Sequence, residues 1–148
     1  MKDSRHFIGA KTTKEEMYKA ISEPQGLEKW WATSAKGDPK IGETIALHFE
    51  NLTTLTFKYT AIVPYEKLEL TCSEGPTPWQ NAVLTFELEE REGQVFLTHT
   101  HSNIPSDDMA SLTYFNTKWT VYLLSLKDYL ETGKGTPYPT ELKLYDGD

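Results

Sequence analysis

A change of period constrains this chain more than any other feature. From Glu43 to His101 apolar residues recur at every second position, and from about Ser106 to Glu131 at every third and fourth. Side chains repeat about every 2 residues along a strand and about every 3.6 along a helix. A run of strands therefore gives way to one long helix. Ile45, Leu47 and Phe49 alternate with Thr44, Ala46 and His48. Leu55, Phe57, Tyr59, Ala61 and Val63 alternate with Thr56, Lys58 and Thr60. Leu68, Leu70 and Cys72 form the third run, and Ala82, Leu84, Phe86 and Leu88 the fourth. Val95, Leu97, His99 and His101 form the fifth. Short turns join them at "NLTT", "VPYE" and "EREGQ". This is the pattern of an antiparallel meander with one buried face. The longer "EGPTPWQN" carries Trp79, expected to be more exposed, as a loop over an opening.

The final helix is expected to start at Ser106 as N-cap, with Asp107 and Asp108 near its positive end. Met109, Leu112, Phe115, Trp119, Tyr122, Leu123, Leu126 and Leu130 give it one apolar stripe, and Gly133 closes it. Ahead of the meander, "RHFIGAK" has strand character. "TTKEEMYKAIS" (Thr12–Ser22) reads as a helix, capped by Thr12 or Thr13 with Glu15 or Glu16 completing a capping box. Its buried stripe is Met17, Ala20 and Ile21. Pro24 ends it, and "GLEKWW" is a second, short helix. The tail "GTPYPTELKLYDGD" has no periodic pattern, so its path is not set by patterning. The fold class is α+β, a curved antiparallel sheet around a long C-terminal helix, with residues 1–148 expected to form one domain.

Composition removes several functions. The net charge of −7 argues against a surface built to neutralise phosphates, so no nucleic-acid partner is expected. The apolar runs are too short for a membrane span. "MKDSRHFIGA" lacks the apolar core of a signal peptide. The single Cys72 excludes an internal disulfide, which makes a cytoplasmic location the default expectation.

A twisted meander curls, and a long helix can lie in its concave face. Where the two fit incompletely, a cavity remains. Its expected walls are Trp31, Phe49, Phe57, Tyr59, Leu70, Phe86, Phe115, Trp119 and Tyr122. Trp30 and Trp31 divide between plugging the cavity base and packing over the short helix. His99 and His101 share parity with Val95 and Leu97, so both rings should point inward.

Three chemistries suit such a pair. Two imidazoles can ligate zinc, but a third ligand is required. Cys72 and His6 are the inward candidates, His48 faces outward, and neither His-Glu-x-x-His nor Cys-x-x-Cys occurs. The expectation is therefore no metal and no cofactor. General acid–base work would need a nearby carboxylate or nucleophile, yet Glu50, Glu69, Glu87 and Glu89 have outward parity. The favoured reading makes both histidines polar fixtures in an apolar cavity, bonded to a ligand, a water or Tyr59.

Three segments in order also resemble one family. "AISEPQGLEKWW", "LTHTHSN" and "KWTVYLLSLKDYLETGKG" are similar to signatures of the activator of heat-shock protein 90 ATPase homologue group. That group lies within the START-like, Bet v-like helix-grip superfamily, also called SRPBCC. The resemblance implies an apolar cavity between sheet and final helix, and it supplies no universal catalytic set. His101 matches the group's recurring histidine, and His99 stands where an aliphatic residue is usual. Three functions follow as expectations. The first is binding of a small apolar or aromatic, lipid-like ligand, as a monomer or homodimer. The second is a chaperone partner that stimulates a stress-linked ATPase. The third is a cyclase- or hydrolase-type enzyme using His99 and His101.

Overall fold

The computed structural model describes residues 1–148. Strand β1 (Lys2–Ala10) leads into helices α1 (Lys14–Ser22) and α2 (Pro24–Trp30). Strands β2 (Ser34–Gly37), β3 (Thr44–Phe49), β4 (Thr53–Val63) and β5 (Lys67–Glu74) follow. A single 3-10 turn, Thr77–Trp79, separates them from β6 (Val83–Arg91) and β7 (Gln94–Ile104), and α3 spans Met109–Thr132. The seven strands form one sheet in the order β1-β7-β6-β5-β4-β3-β2, and every pairing is antiparallel. β1 returns to pair with β7, and β2 edges the other side. No helix is long and apolar enough to cross a membrane.

The expected parity holds through most of the meander. Ile45, Leu47, Leu55, Phe57, Leu68, Leu70, Leu84, Phe86, Val95 and Leu97 are all buried in one core. It fails in the second half of β4. The register with β5 shifts between Tyr59 and Ala61, and a bulge re-aims every later side chain. Val63, expected inside, is 50% exposed, and Ile62 packs against the core instead. β2 was not expected. "SAKG" has no apolar alternation and is a strand only because Ser34–Gly37 pair with Ile45–His48.

α1 is capped by Thr13, one of the two expected caps, whose Oγ1 accepts from the Glu16 amide at 3.1 Å. The other two helices begin at different residues from those expected. α2 starts at Pro24 rather than Gly26, since proline suits a first helical turn. α3 is capped by Asp108 rather than Ser106: Asp108 Oδ1 accepts from the Ser111 amide at 3.0 Å. The α3 stripe is buried from Phe115 to Leu126, whereas Met109 is 59% exposed and Leu112 and Leu130 are half-buried. Gly133 ends α3 in the left-handed region at φ 86°, as a closing glycine does.

The tail after Gly133 turns back over the molecule without forming helix or strand. Gly135 passes so close to the α2 carbonyl of Lys29 that a Cβ would clash there. Ser125 Oγ accepts from the Thr136 amide at 2.7 Å and donates to the Trp30 carbonyl at 2.9 Å. The Tyr138 amide donates to the Trp31 carbonyl at 2.9 Å. The chain then reaches the open side between the β3–β4 turn and α3.

Candidate functional site: an aromatic cavity closed by the tail

A cavity of about 430 Å³ lies between the sheet and α3. Five of the expected wall residues line it: Trp31, Phe49, Phe115, Trp119 and Tyr122. Phe57, Tyr59, Leu70 and Phe86 lie deeper, fully buried in the closed core. The Tyr59 hydroxyl donates to the Ser22 carbonyl at 2.6 Å, tying β4 to the end of α1 and leaving it no bond to either histidine. Trp30 also belongs to the core, with its indole N–H bonded to the Ala20 carbonyl at 2.8 Å. Trp31 is the hub of the aromatic wall. Its ring centroid is 5.1 Å from Trp119, 5.8 Å from Phe49 and 6.4 Å from Trp79.

His99 and His101 point inward as parity requires, but neither lines the cavity. They sit behind it under a layer of aromatic rings. His99 lies between Phe86, at 4.5 Å, and Trp119, at 4.2 Å. Trp79 stacks on His101 at 4.8 Å and 25°. The 3-10 turn brings Trp79 in, so it is half-buried rather than exposed and separates His101 from the open side.

The hydrogen bonds fix the tautomers. An indole N–H only donates, and Trp119 Nε1 lies 3.1 Å from His101 Nδ1. His101 Nδ1 is therefore the bare acceptor, and neutral His101 carries its proton on Nε2. A carbonyl only accepts, so His99 Nδ1 donates to Thr85 O at 3.2 Å and His6 Nε2 to Asn116 O at 2.8 Å. The opposite nitrogen of each ring has no partner within the protein. Burial, reinforced by the neighbouring histidines, holds His99 well below the ordinary imidazole value. Burial, with a contribution from His6, lowers His101 to about 4. No carboxylate or nucleophile hydrogen-bonds either ring. No group of three or more His, Cys, Asp or Glu side chains is placed to hold a metal ion.

The cavity has a polar element that sequence reasoning missed. Lys118 interrupts the apolar stripe of α3 between Phe115 and Trp119, and its side chain is only 6% exposed. Its ammonium lies 2.6 Å from Glu141 Oε2 and 2.6 Å from Asp148 Oδ2. The Tyr114 and Tyr122 hydroxyls donate to Asp148 and Glu141, at 2.6 Å and 3.3 Å. Burial pushes the Asp148 carboxyl up, but the Leu144 amide, Lys118 and Tyr114 outweigh it and hold it below its ordinary value. Burial, aided by the nearby carboxylates, raises both tyrosines. A cation inside an apolar helical stripe was the available signal for Lys118. Nothing in the pattern marked Glu141 or Asp148.

Comparison with known proteins places this geometry. The family model described as "Activator of Hsp90 ATPase homolog 1-like protein" matches residues 11–131. The chain belongs to that family. Within it, a solved structure of the Aha1 dimer from Colwellia psychrerythraea is 38% identical with a TM-score of 0.82, covering 91% of this chain and 100% of that one. A Staphylococcus saprophyticus protein is 22% identical with a TM-score of 0.77, covering 90% and 95%. A Mesorhizobium loti protein is 17% identical with a TM-score of 0.78, covering 87% and 96%. The last two are likenesses of fold. No curated protein matches. Lys118 lies inside the family-matched residues, and Glu141 and Asp148 lie beyond them.

Proposed function

We propose that this member of the activator of Hsp90 ATPase homolog 1-like family binds a small apolar or aromatic ligand between its sheet and α3. The observation that carries this reading is the 430 Å³ aromatic cavity, large enough for a small ligand. Trp31, Phe49, Phe115, Trp119 and Tyr122 serve as its walls, together with Trp79, Leu55 and Tyr138. Phe57, Tyr59, Leu70 and Phe86 support those walls from behind. His99 and His101 act one layer back, where His101 sets the orientation of the Trp119 indole. Native mass spectrometry of freshly purified protein tests the reading. A co-purifying small molecule that denaturation releases supports it. Bare protein that takes up no apolar compound on titration contradicts it. The same spectrum gives the assembly mass, monomer or homodimer.

Family membership supports a second reading, a chaperone-partner module acting through its outer surface. That reading expects stimulation of a heat-shock protein's ATPase rate on addition of this chain. It also expects the stimulation to survive substitutions within the cavity. The enzymatic reading, through His99 and His101, has less support, since both rings are sealed behind Trp79, Phe115 and Trp119.

A further inference from the structure

Without residues 134–148, the cavity wall would consist of aromatic and aliphatic groups, a few neutral polar groups and one cation, Lys118. Every group that hydrogen-bonds or neutralises the ammonium comes from the tail: Glu141, Asp148 and the Leu142 carbonyl. The body of the fold supplies only the rings of Tyr114 and Tyr122, whose centroids lie 5.9 Å and 5.7 Å away. A buried ammonium needs a negative partner. Lys118 carries one charge and meets two carboxylates, so one of the two places on its ammonium suits the anionic end of an apolar molecule while the other partner stays.

The two tail carboxylates are held differently. Glu141 has a fully buried side chain and a second ion pair, with Lys143 at 2.8 Å. Asp148 has a side chain 6% exposed and lines the cavity beside the exposed Tyr145 and Gly147, and its bonds come from Tyr114, the Leu144 amide and Lys118. A second, more open groove of about 610 Å³ adjoins the cavity and shares Leu52, Thr53, Trp79, Tyr114, Phe115 and Tyr145 with it. Leu52 and Tyr145 are 67% and 59% exposed, which leaves an apolar approach on the Asp148 side.

We infer that the cavity takes a ligand with an apolar body and one carboxylate, which pairs with Lys118 in place of Asp148. The tail is then an internal competitor. Asp148 neutralises Lys118 in the free protein and moves into water when the ligand's carboxylate arrives. Glu141 stays, held by Lys143 and Tyr122. This inference rests on the proposed cavity binding and names the class of ligand.

Calorimetric titration with decanoate, decan-1-ol and decylamine tests it, since the three share one apolar chain and differ in the head. Wild-type protein is expected to bind decanoate roughly tenfold tighter than decan-1-ol, as a charge-assisted bond allows. Asp148→Asn weakens the competitor and should tighten decanoate roughly threefold while leaving decan-1-ol unchanged. Lys118→Met should abolish the preference for decanoate and keep decan-1-ol binding. Equal binding of decanoate and decan-1-ol, or tighter binding of decylamine, overturns the inference and leaves the apolar cavity standing. Failure of all three to bind removes the cavity reading as well. If Lys118→Met does not fold, Asp148→Asn decides: an unchanged decanoate-to-decanol ratio overturns the inference.

Discussion

His99 and His101 are fully buried beside His6, and none of the three rings has both nitrogens satisfied. Neutral rings tolerate that position better than charged ones. In an unfolded chain an imidazole protonates near its ordinary value of 6.5, whereas folded His101 does so near 4. Below about pH 6.5 the unfolded state therefore binds more protons. Stability is full above that pH and falls as pH drops towards 4. His101 alone should cost about 2 kcal/mol between pH 7 and pH 5, and His99 adds to the loss. Asp148 acts in the same direction at lower pH, below its ordinary value of 3.8. Urea unfolding at pH 7.5, 6 and 5 measures this; a flat profile would contradict it. His99→Leu should reduce the slope by one histidine's share. Trp119→Phe keeps a large ring but leaves His101 Nδ1 buried and unpaired. It should cost about 1–3 kcal/mol in the same assay at pH 7.5.

Among the elements, the meander and α3 were legible because one face of each is dry. Alternation and helical spacing record burial directly. The β4 bulge was not legible, because Thr60–Val63 keep their residue types while the pairing register shifts beneath them. β2 escaped for a related reason: pairing alone defines it, and "SAKG" offers the core only the half-buried methyl of Ala35. The tail is the extreme case. Its course depends on single bonds to distant elements, among them Thr136 to Ser125 and Tyr138 to Trp31. Ser125→Ala removes the acceptor for the Thr136 amide and the donor to Trp30. Hydrogen exchange at Thr136 and Tyr138 should quicken by about tenfold, with α3 and β7 amides unaffected. Equal acceleration across the whole chain would mean that the tail is no separable unit.

At the scale of the molecule, an open sheet edged by β1 and β2 leaves one face to α3, and a cavity remains between them. The expectation of a cavity followed from the architecture, and so did half of the aromatic wall. The depth of each wall residue did not follow, since strand parity says which face a side chain leaves but not how far from the mouth it lies. His99 and His101 drew attention as a motif, yet they stand behind the wall. Lys118 and the tail carboxylates supply the polar end. The four tryptophans report on this arrangement directly. Trp31, Trp79 and Trp119 line the cavity, and Trp30 is bonded into the core. Decan-1-ol titrated into ¹⁵N-labelled protein should move the indole N–H signals of Trp31, Trp79 and Trp119 saturably, and that of Trp30 least. The absence of saturable shifts, or shifts confined to the outer face of the sheet, where exposed Phe7 stacks on Phe96 at 5.5 Å, would contradict a ligand cavity between sheet and helix.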